Sequence, residues 1–163
     1  MEIRSITKDN FPEAVEIYKQ GLATNIATFQ NDPPEWEDWD KAHLDFCRIS
    51  IYDNDTMLGW TSLTPVSSRC VYAGVAEVSV YVAQDARGKG IGKILLNELI
   101  TQSEENGIWT LQSGIFAENE ASINLHKKCG FRLVGFREKI GKKNGVWKDN
   151  VLMERRSKNI GID

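Results

Sequence analysis

Arg87-Gly88-Lys89-Gly90-Ile91-Gly92 lies between Glu77–Ala83, whose alternation reads as a strand, and Ile91–Glu105, whose periodicity reads as a helix. A glycine-rich turn that opens a helix leaves backbone N–H groups bare at the end where the helix dipole favours negative charge. The stretch therefore reads as a seat for a pyrophosphate. Its spacing argues against two common seats. A triphosphate loop needs four residues between its glycines and then Gly-Lys-Ser/Thr, whereas Lys89 is followed by Gly90. The dinucleotide fingerprint Gly-x-Gly-x-x-Gly fails because Gly92 comes one residue early. What remains is an Arg-x-x-Gly-x-Gly turn, with Lys89 and Lys93 as further candidate contacts for the cofactor. The competing reading is a helix start whose glycines serve packing alone.

Outward from the loop, Val78, Val80 and Val82 alternate with Glu77, Ser79 and Tyr81, which predicts a strand with one packed and one polar face. Downstream, the loop's helix stops near Gly107, Trp109–Phe116 reads as a strand, and a helix opens at Asn119 and ends at Gly130. Phe131–Phe136 and Val146–Met153 read as closing strands. Upstream, Glu2–Ile6 reads as a strand and Asn10-Phe11-Pro12-Glu13 as a capping signal for a helix with Phe11, Ala14, Val15, Tyr18 and Leu22 on one stripe. Asp32-Pro33-Pro34-Glu35 opens a second helix with Trp36, Trp39, His43 and Phe46 on one face. Arg48–Tyr52 and Met57–Val66 make a hairpin about Asp53-Asn54-Asp55-Thr56. The expected organisation is a single domain over residues 1–156, with 157–163 as a loose tail.

A chain of 163 residues buries roughly 70% of its unfolded surface on folding, enough for a core without metal or disulfide. A net charge of −3 argues against a nucleic-acid partner, which needs a basic face, and the run Lys139–Lys143 reads as a solvated hairpin. No apolar stretch is long enough to cross a bilayer, and Met1-Glu2-Ile3-Arg4 has no secretory pattern, so a cytoplasmic location is expected. Cys47, Cys70 and Cys129 are widely spaced and suggest neither a disulfide framework nor a metal site.

The order of elements, and several motifs along nearly the whole chain, resemble the GCN5-related N-acetyltransferases, in particular the phosphinothricin and methionine sulfoximine branch. The motifs are Thr28-Phe29, Pro34-Glu35-Trp36, Arg69-x-x-Tyr72, Glu77-x-Ser79-Val80-Tyr81-Val82, Arg87-x-x-Gly90-x-Gly92, Asn119-x-x-Ser122-x-x-Leu125-His126-x-x-x-Gly130-Phe131 and Gly145-x-Trp147-x-Asp149. The resemblance implies an α+β fold, a mixed and mostly antiparallel sheet flanked by about four helices. It also implies acetyl-CoA as co-substrate, a small-molecule amine as acceptor, namely the α-amine of a small amino acid or analogue attacking directly in a ternary complex, and a homodimer.

Carried over residue by residue, it makes Glu77 the base that deprotonates the amine, a step an ammonium substrate requires. Val80, Tyr81 and Val82 become the strand that pairs with the pantetheine arm and the thioester oxygen, and Arg87, Gly88, Lys89, Gly90, Ile91, Gly92 and Lys93 the pyrophosphate seat. Asn119 and Ser122 would hydrogen-bond the arm, with helix capping as their plainer role. His126 replaces a Tyr common in the wider superfamily and is a candidate either to protonate the leaving thiolate or to assist Glu77. Substrate choice falls to Phe29, Trp36, Arg69, Tyr72 and Trp147, with Arg69 pairing a carboxylate. Asn144 and Asn150 stand where the branch more often carries apolar residues, and the loop from Phe29 to Trp36 is slightly short. Acetylation of protein N-termini or polyamines, and CoA sensing without turnover, are the rival functions.

Overall fold

In the computed structural model, which describes residues 1–163, the strands form a single seven-stranded sheet in the order β1-β2-β3-β4-β5-β7-β6. These are β1 (Glu2–Ser5), β2 (Ile49–Asp53), β3 (Thr56–Pro65), β4 (Val75–Val82), β5 (Thr110–Phe116), β6 (Arg132–Lys143) and β7 (Val146–Arg156). Every neighbouring pair is antiparallel except β4 and β5. Helices α1 (Phe11–Leu22) and α2 (Trp36–Ala42) pack with one face of the sheet, and α3 (Ile91–Glu105) and α4 (Glu120–Lys128) cover the other. The fold is α+β, and no helix is long and apolar enough to cross a membrane.

Alternation along the strands divides the core in two. On the α3 side, Ile49, Ile51, Leu63, Val78, Leu111 and Met153 meet Leu95, Leu96 and Leu99. On the α1 side, Tyr52, Trp60 and Tyr81 meet Phe11, Ala14 and Tyr18. Trp60 donates its indole N–H to the Ala14 carbonyl at 3.0 Å, so the buried ring leaves no orphan donor.

The parallel pair is short. Only Val75–Glu77 and Thr110–Gln112 are in register, and beyond them the strands part, while β5 stays paired with β7 as far as Phe116↔Asn150. The facing edges of Val78–Val82 and Ser113–Phe116 thus bound a wedge in the middle of the sheet.

Five local expectations are corrected. The face of β4 bearing Glu77 is not polar throughout, because Tyr81 packs on Trp60 and Tyr18 with ring centroids 4.9 and 5.0 Å away. Helix α2 stops at Ala42, so Phe46 leaves the tryptophan face and packs in the α3-side core. Asn10 makes no cap bond to α1; its amide accepts from Thr7 N–H and donates to the Ser5 carbonyl, tying β1 to the helix. The basic run is not wholly solvated, since Lys143 is buried and donates to the Gln30 carbonyl and to Asn31 Oδ1. The C-terminal residues are held: Ser157 is buried, and Ser157 and Asn159 both donate to Glu104. A polar tail anchors wherever it finds a fixed carboxylate, and periodicity carries no sign of that.

Candidate active site

At the loop, Gly88 and Gly90 have φ of +74° and +81°, a left-handed conformation that L side chains rarely adopt. A Cβ at either would meet nothing within 4 Å, so both face open space. Gly92 has a different reason to be glycine: a Cβ there would lie 2.8 Å from Leu125, so its absence lets α3 close on α4. Gly90 caps α3 without a side-chain acceptor, and the first helical bond into the loop is Ile94 N–H to the Gly90 carbonyl. The N–H groups of residues 88 to 93 are therefore bare. Ile91 pins the turn to the core, while Arg87, Lys89 and Lys93 stay exposed beside it. Bare donors, a helix N-terminus and free cations fit a diphosphate. The unpaired edge of Val80–Val82 fits the amide-bearing arm of CoA.

Glu77 stands where β4 leaves β5. Burial pushes its carboxyl above the usual carboxylate range, opposed by the Gly114 backbone N–H and by the positive charge of Arg137. A raised carboxyl beside a wedge suits a general base working near neutral pH. Gly114 is exposed, and Glu77 Oε1 lies 3.6 Å from where its Cβ would be. Phe116 continues the same face of β5, and Phe29 stacks edge-on against it at 4.5 Å. Gly141 makes room, because a Cβ there would sit 3.0 Å from the Phe29 ring. The loop between α1 and α2, strapped down by Lys143, thus brings Phe29 over the site.

On α4, Asn119 spends both ends of its amide on the protein, accepting from Ser122 N–H at 3.2 Å and donating to the Ile26 carbonyl at 3.3 Å. This is the capping role, and it ties α4 to the loop that carries Phe29. His126 is buried with 1% exposure, its Nδ1 lies 2.7 Å from the Ser122 carbonyl, and its ring meets Phe131 edge-on. With Nδ1–H donating, Nε2 is an acceptor, and it has no partner in the protein. Burial lowers its pKa, with the Ser122 carbonyl opposing. Burial thus favours the neutral ring, which suits an accepting role over donation to a thiolate.

The expected substrate residues divide. Phe29 reaches the site. Arg69 caps and Tyr72 ends a 3₁₀ turn (Cys70–Tyr72) in the β3–β4 connection, both exposed, with the guanidinium 5.9 Å from the ring centre. Trp36 does not join them; it packs on Phe11 and Trp39 in the α1-side core. Trp147 is 53% exposed under Lys142, and strand alternation turns it to the face opposite Asn150. Sequence reasoning missed Gly114, Phe116 and Arg137, which enter the site through pairing of β5, β7 and β6, a property no local motif encodes. No group of three or more His, Cys, Asp or Glu side chains is placed to hold a metal ion.

The sequence profile of the acetyltransferase (GNAT) family matches residues 3–131. The phosphinothricin N-acetyltransferase of Alcaligenes faecalis is 32% identical over 165 residues, covering 94% of this chain and 81% of that one. Among solved structures, the ribosomal-protein-alanine N-acetyltransferase of Brucella melitensis superposes with a TM-score of 0.87 at 30% identity over 96% of this chain and 100% of that one. The phosphinothricin acetyltransferase of Sinorhizobium meliloti, solved with acetyl-CoA, gives 0.83 at 27% identity over 95% and 87%. The chain belongs to the GNAT family, and it is an acetyl-CoA-dependent N-acetyltransferase.

Proposed function

We propose that this acetyltransferase acetylates the α-amine of a small amino acid or amino-acid analogue of the phosphinothricin, methionine sulfoximine or methionine sulfone kind, by direct attack in a ternary complex. The observation that carries the reading is Glu77, a carboxyl raised by burial at the mouth of the β4–β5 wedge, with Phe29 and Phe116 beside it. The relatives named above support the acceptor class. Acetyl-CoA supplies the thioester whose carbonyl carbon the amine attacks, the C–N bond forming as the C–S bond breaks. Glu77 takes one proton from the ammonium, and the proton lost from nitrogen after attack leaves with the thiolate as CoA thiol. Backbone N–H groups on the unpaired β4 edge stabilise charge developing on the carbonyl oxygen. His126, whose buried Nε2 meets no donor in the protein and whose Nδ1 is held by the Ser122 carbonyl, does not act as the acid.

Arg69 reads the substrate carboxylate, with Tyr72 beneath its guanidinium. A homodimer fits the edge strand β6, where Leu133, Phe136 and Ile140 are 52%, 59% and 48% exposed. One observation favours a second reading: the likeness to the Brucella enzyme, a ribosomal-protein-alanine N-acetyltransferase. Release of free thiol from acetyl-CoA, measured with amino acids, methionine sulfone, phosphinothricin, their α-amides, polyamines and an alanine-start peptide, decides between them. Free acids are expected to win, and Arg69→Ala is expected to raise their KM about tenfold to a hundredfold, a loss of roughly 1.5–3 kcal/mol, while sparing the amides. Preference for the peptide or the amides moves the function to protein N-termini.

A further inference from the structure

We infer that Asn150 is a specificity-determining residue of the amine site, its side-chain amide hydrogen-bonding an oxygen of the substrate beside the Glu77 carboxylate. This rests on the reading of that groove as the acceptor site. Strand register puts Phe116, Asn150 and Arg137 directly opposite one another across β5, β7 and β6, so the three side chains form a row on one face. The row abuts the candidate base. Asn150 Nδ2 lies 3.0 Å, and Glu77 Oε1 3.6 Å, from the point a Cβ would occupy at Gly114, and Gly114 itself is open to solvent.

The amide is not explained by the fold. Its Oδ1 is buried and meets no donor in the protein. Buried polar atoms are almost always partnered, and an exception asks for a missing partner. Because no protein donor holds Oδ1, the amide is free to turn its N–H end to a ligand. An apolar residue, the more frequent choice in the branch this chain resembles, would complete β7 without that orphan. Asn144, the other departure, does have a local reason: with φ of +51° ahead of Gly145 at +78° it builds the β6–β7 turn.

The surroundings select the ligand chemistry. Arg137 places a positive charge beside the amide, and Phe116 with Phe29 offers an apolar wall. A hydrogen-bond-accepting oxygen with negative character, carried on a short apolar skeleton, matches all three. In an amino-acid analogue that oxygen belongs either to the α-carboxylate or to the side chain.

Asn150→Leu keeps the branching at Cγ and removes the amide, and Asn150→Asp keeps the shape and turns a donor into a repelling acceptor. Steady-state kinetics at saturating acetyl-CoA would compare methionine sulfone, methionine and methionine sulfone α-carboxamide with wild type and both variants, after thermal unfolding confirms that each variant folds. KM for methionine sulfone is expected to rise at least tenfold in both, with KM for acetyl-CoA within twofold of wild type. Loss of the sulfone-over-methionine preference assigns the contact to the side-chain oxygen, and loss of the acid-over-carboxamide preference assigns it to the carboxylate. Unchanged KM values, or an equal loss for all three acceptors in both variants, overturn the inference. A wild-type enzyme that acetylates none of the three but does acetylate peptides or polyamines sinks the functional reading, and the inference falls with it. Activity on the three that is indifferent to Asn150 sinks the inference alone.

Discussion

As the proposed base, Glu77 meets two demands on one carboxyl. To accept a proton it must be ionised, yet burial favours its neutral form. Glu77→Gln keeps the shape and removes the base, so kcat should fall on the order of 10² to 10⁴ while acetyl-CoA affinity by calorimetry holds. The same substitution has a signature in stability. The folded pKa lies above the ordinary 4.5, so the native state holds its proton more tightly than the unfolded chain does, and stability falls as pH rises from that value through the folded pKa. Glu77→Gln should therefore unfold at a higher temperature than wild type at pH 7, with the gap closing below pH about 4. A Tm difference of the same size at both pH values would return Glu77 to an ordinary solvated carboxylate. For His126 the sign is reversed: burial lowers its pKa, so its neutral ring contributes stability that is present above its ordinary value of 6.5 and lost as pH falls through the depressed folded one.

The loop between β4 and α3 and the wedge between β4 and β5 work at the level of elements, each leaving backbone groups bare for one ligand. Gly90→Asp should abolish acetyl-CoA binding in calorimetry while far-UV circular dichroism stays near wild type, because a Cβ there meets no atom within 4 Å, the strain of a side chain at φ +81° is confined to the turn, and the added carboxylate opposes the diphosphate. Unchanged affinity would remove the loop from the cofactor site. The start of the parallel pair depends on another glycine. A Cβ at Gly74 would lie 2.0 Å from the Trp109 ring, and Gly74 also accepts from Trp109 and Thr110 N–H, so it fixes where β5 meets β4. Gly74→Ala is expected to cost about 1–3 kcal/mol, read as a lowered Tm, and a Tm equal to wild type would mean that the two strands slide freely at this point.

The loop was legible in the sequence because glycine spacing is a local signal, and so were the helices with strong stripes. The row Phe116, Asn150, Arg137 was not, since its members come together only through β5–β7–β6 register. Trp36 misled for a related reason: an aromatic after a Pro-Pro turn looks the same in a pocket as in a core, and here Phe11 and Trp39 take it into the core. The wedge itself, where pairing stops after Glu77↔Gln112, has no sequence mark.

For the whole molecule, β6 is the sheet edge with several exposed apolar side chains, against Ile3 alone on β1, and the proposed homodimer predicts a sedimentation mass twice that of the 18.4 kDa chain. Phe136→Lys should shift it to a monomer, and a wild-type monomer at tens of micromolar would dismiss the assembly. On the proposed mechanism one chain holds acetyl-CoA at the loop and wedge and the amine beside Glu77 at the same time, with no acetylated enzyme between. Two of the three thiols support this: burial pushes Cys47 up to about 12 and raises Cys129, so neither is a ready nucleophile, while Cys70 is exposed on the β3–β4 connection and is the cysteine to inspect for an acetyl group. Initial velocities, measured while acetyl-CoA and the amine are varied together, test the claim most directly. Double-reciprocal lines that intersect are the predicted result; parallel lines, with an acetyl group found on the protein when acetyl-CoA is supplied alone, would contradict it.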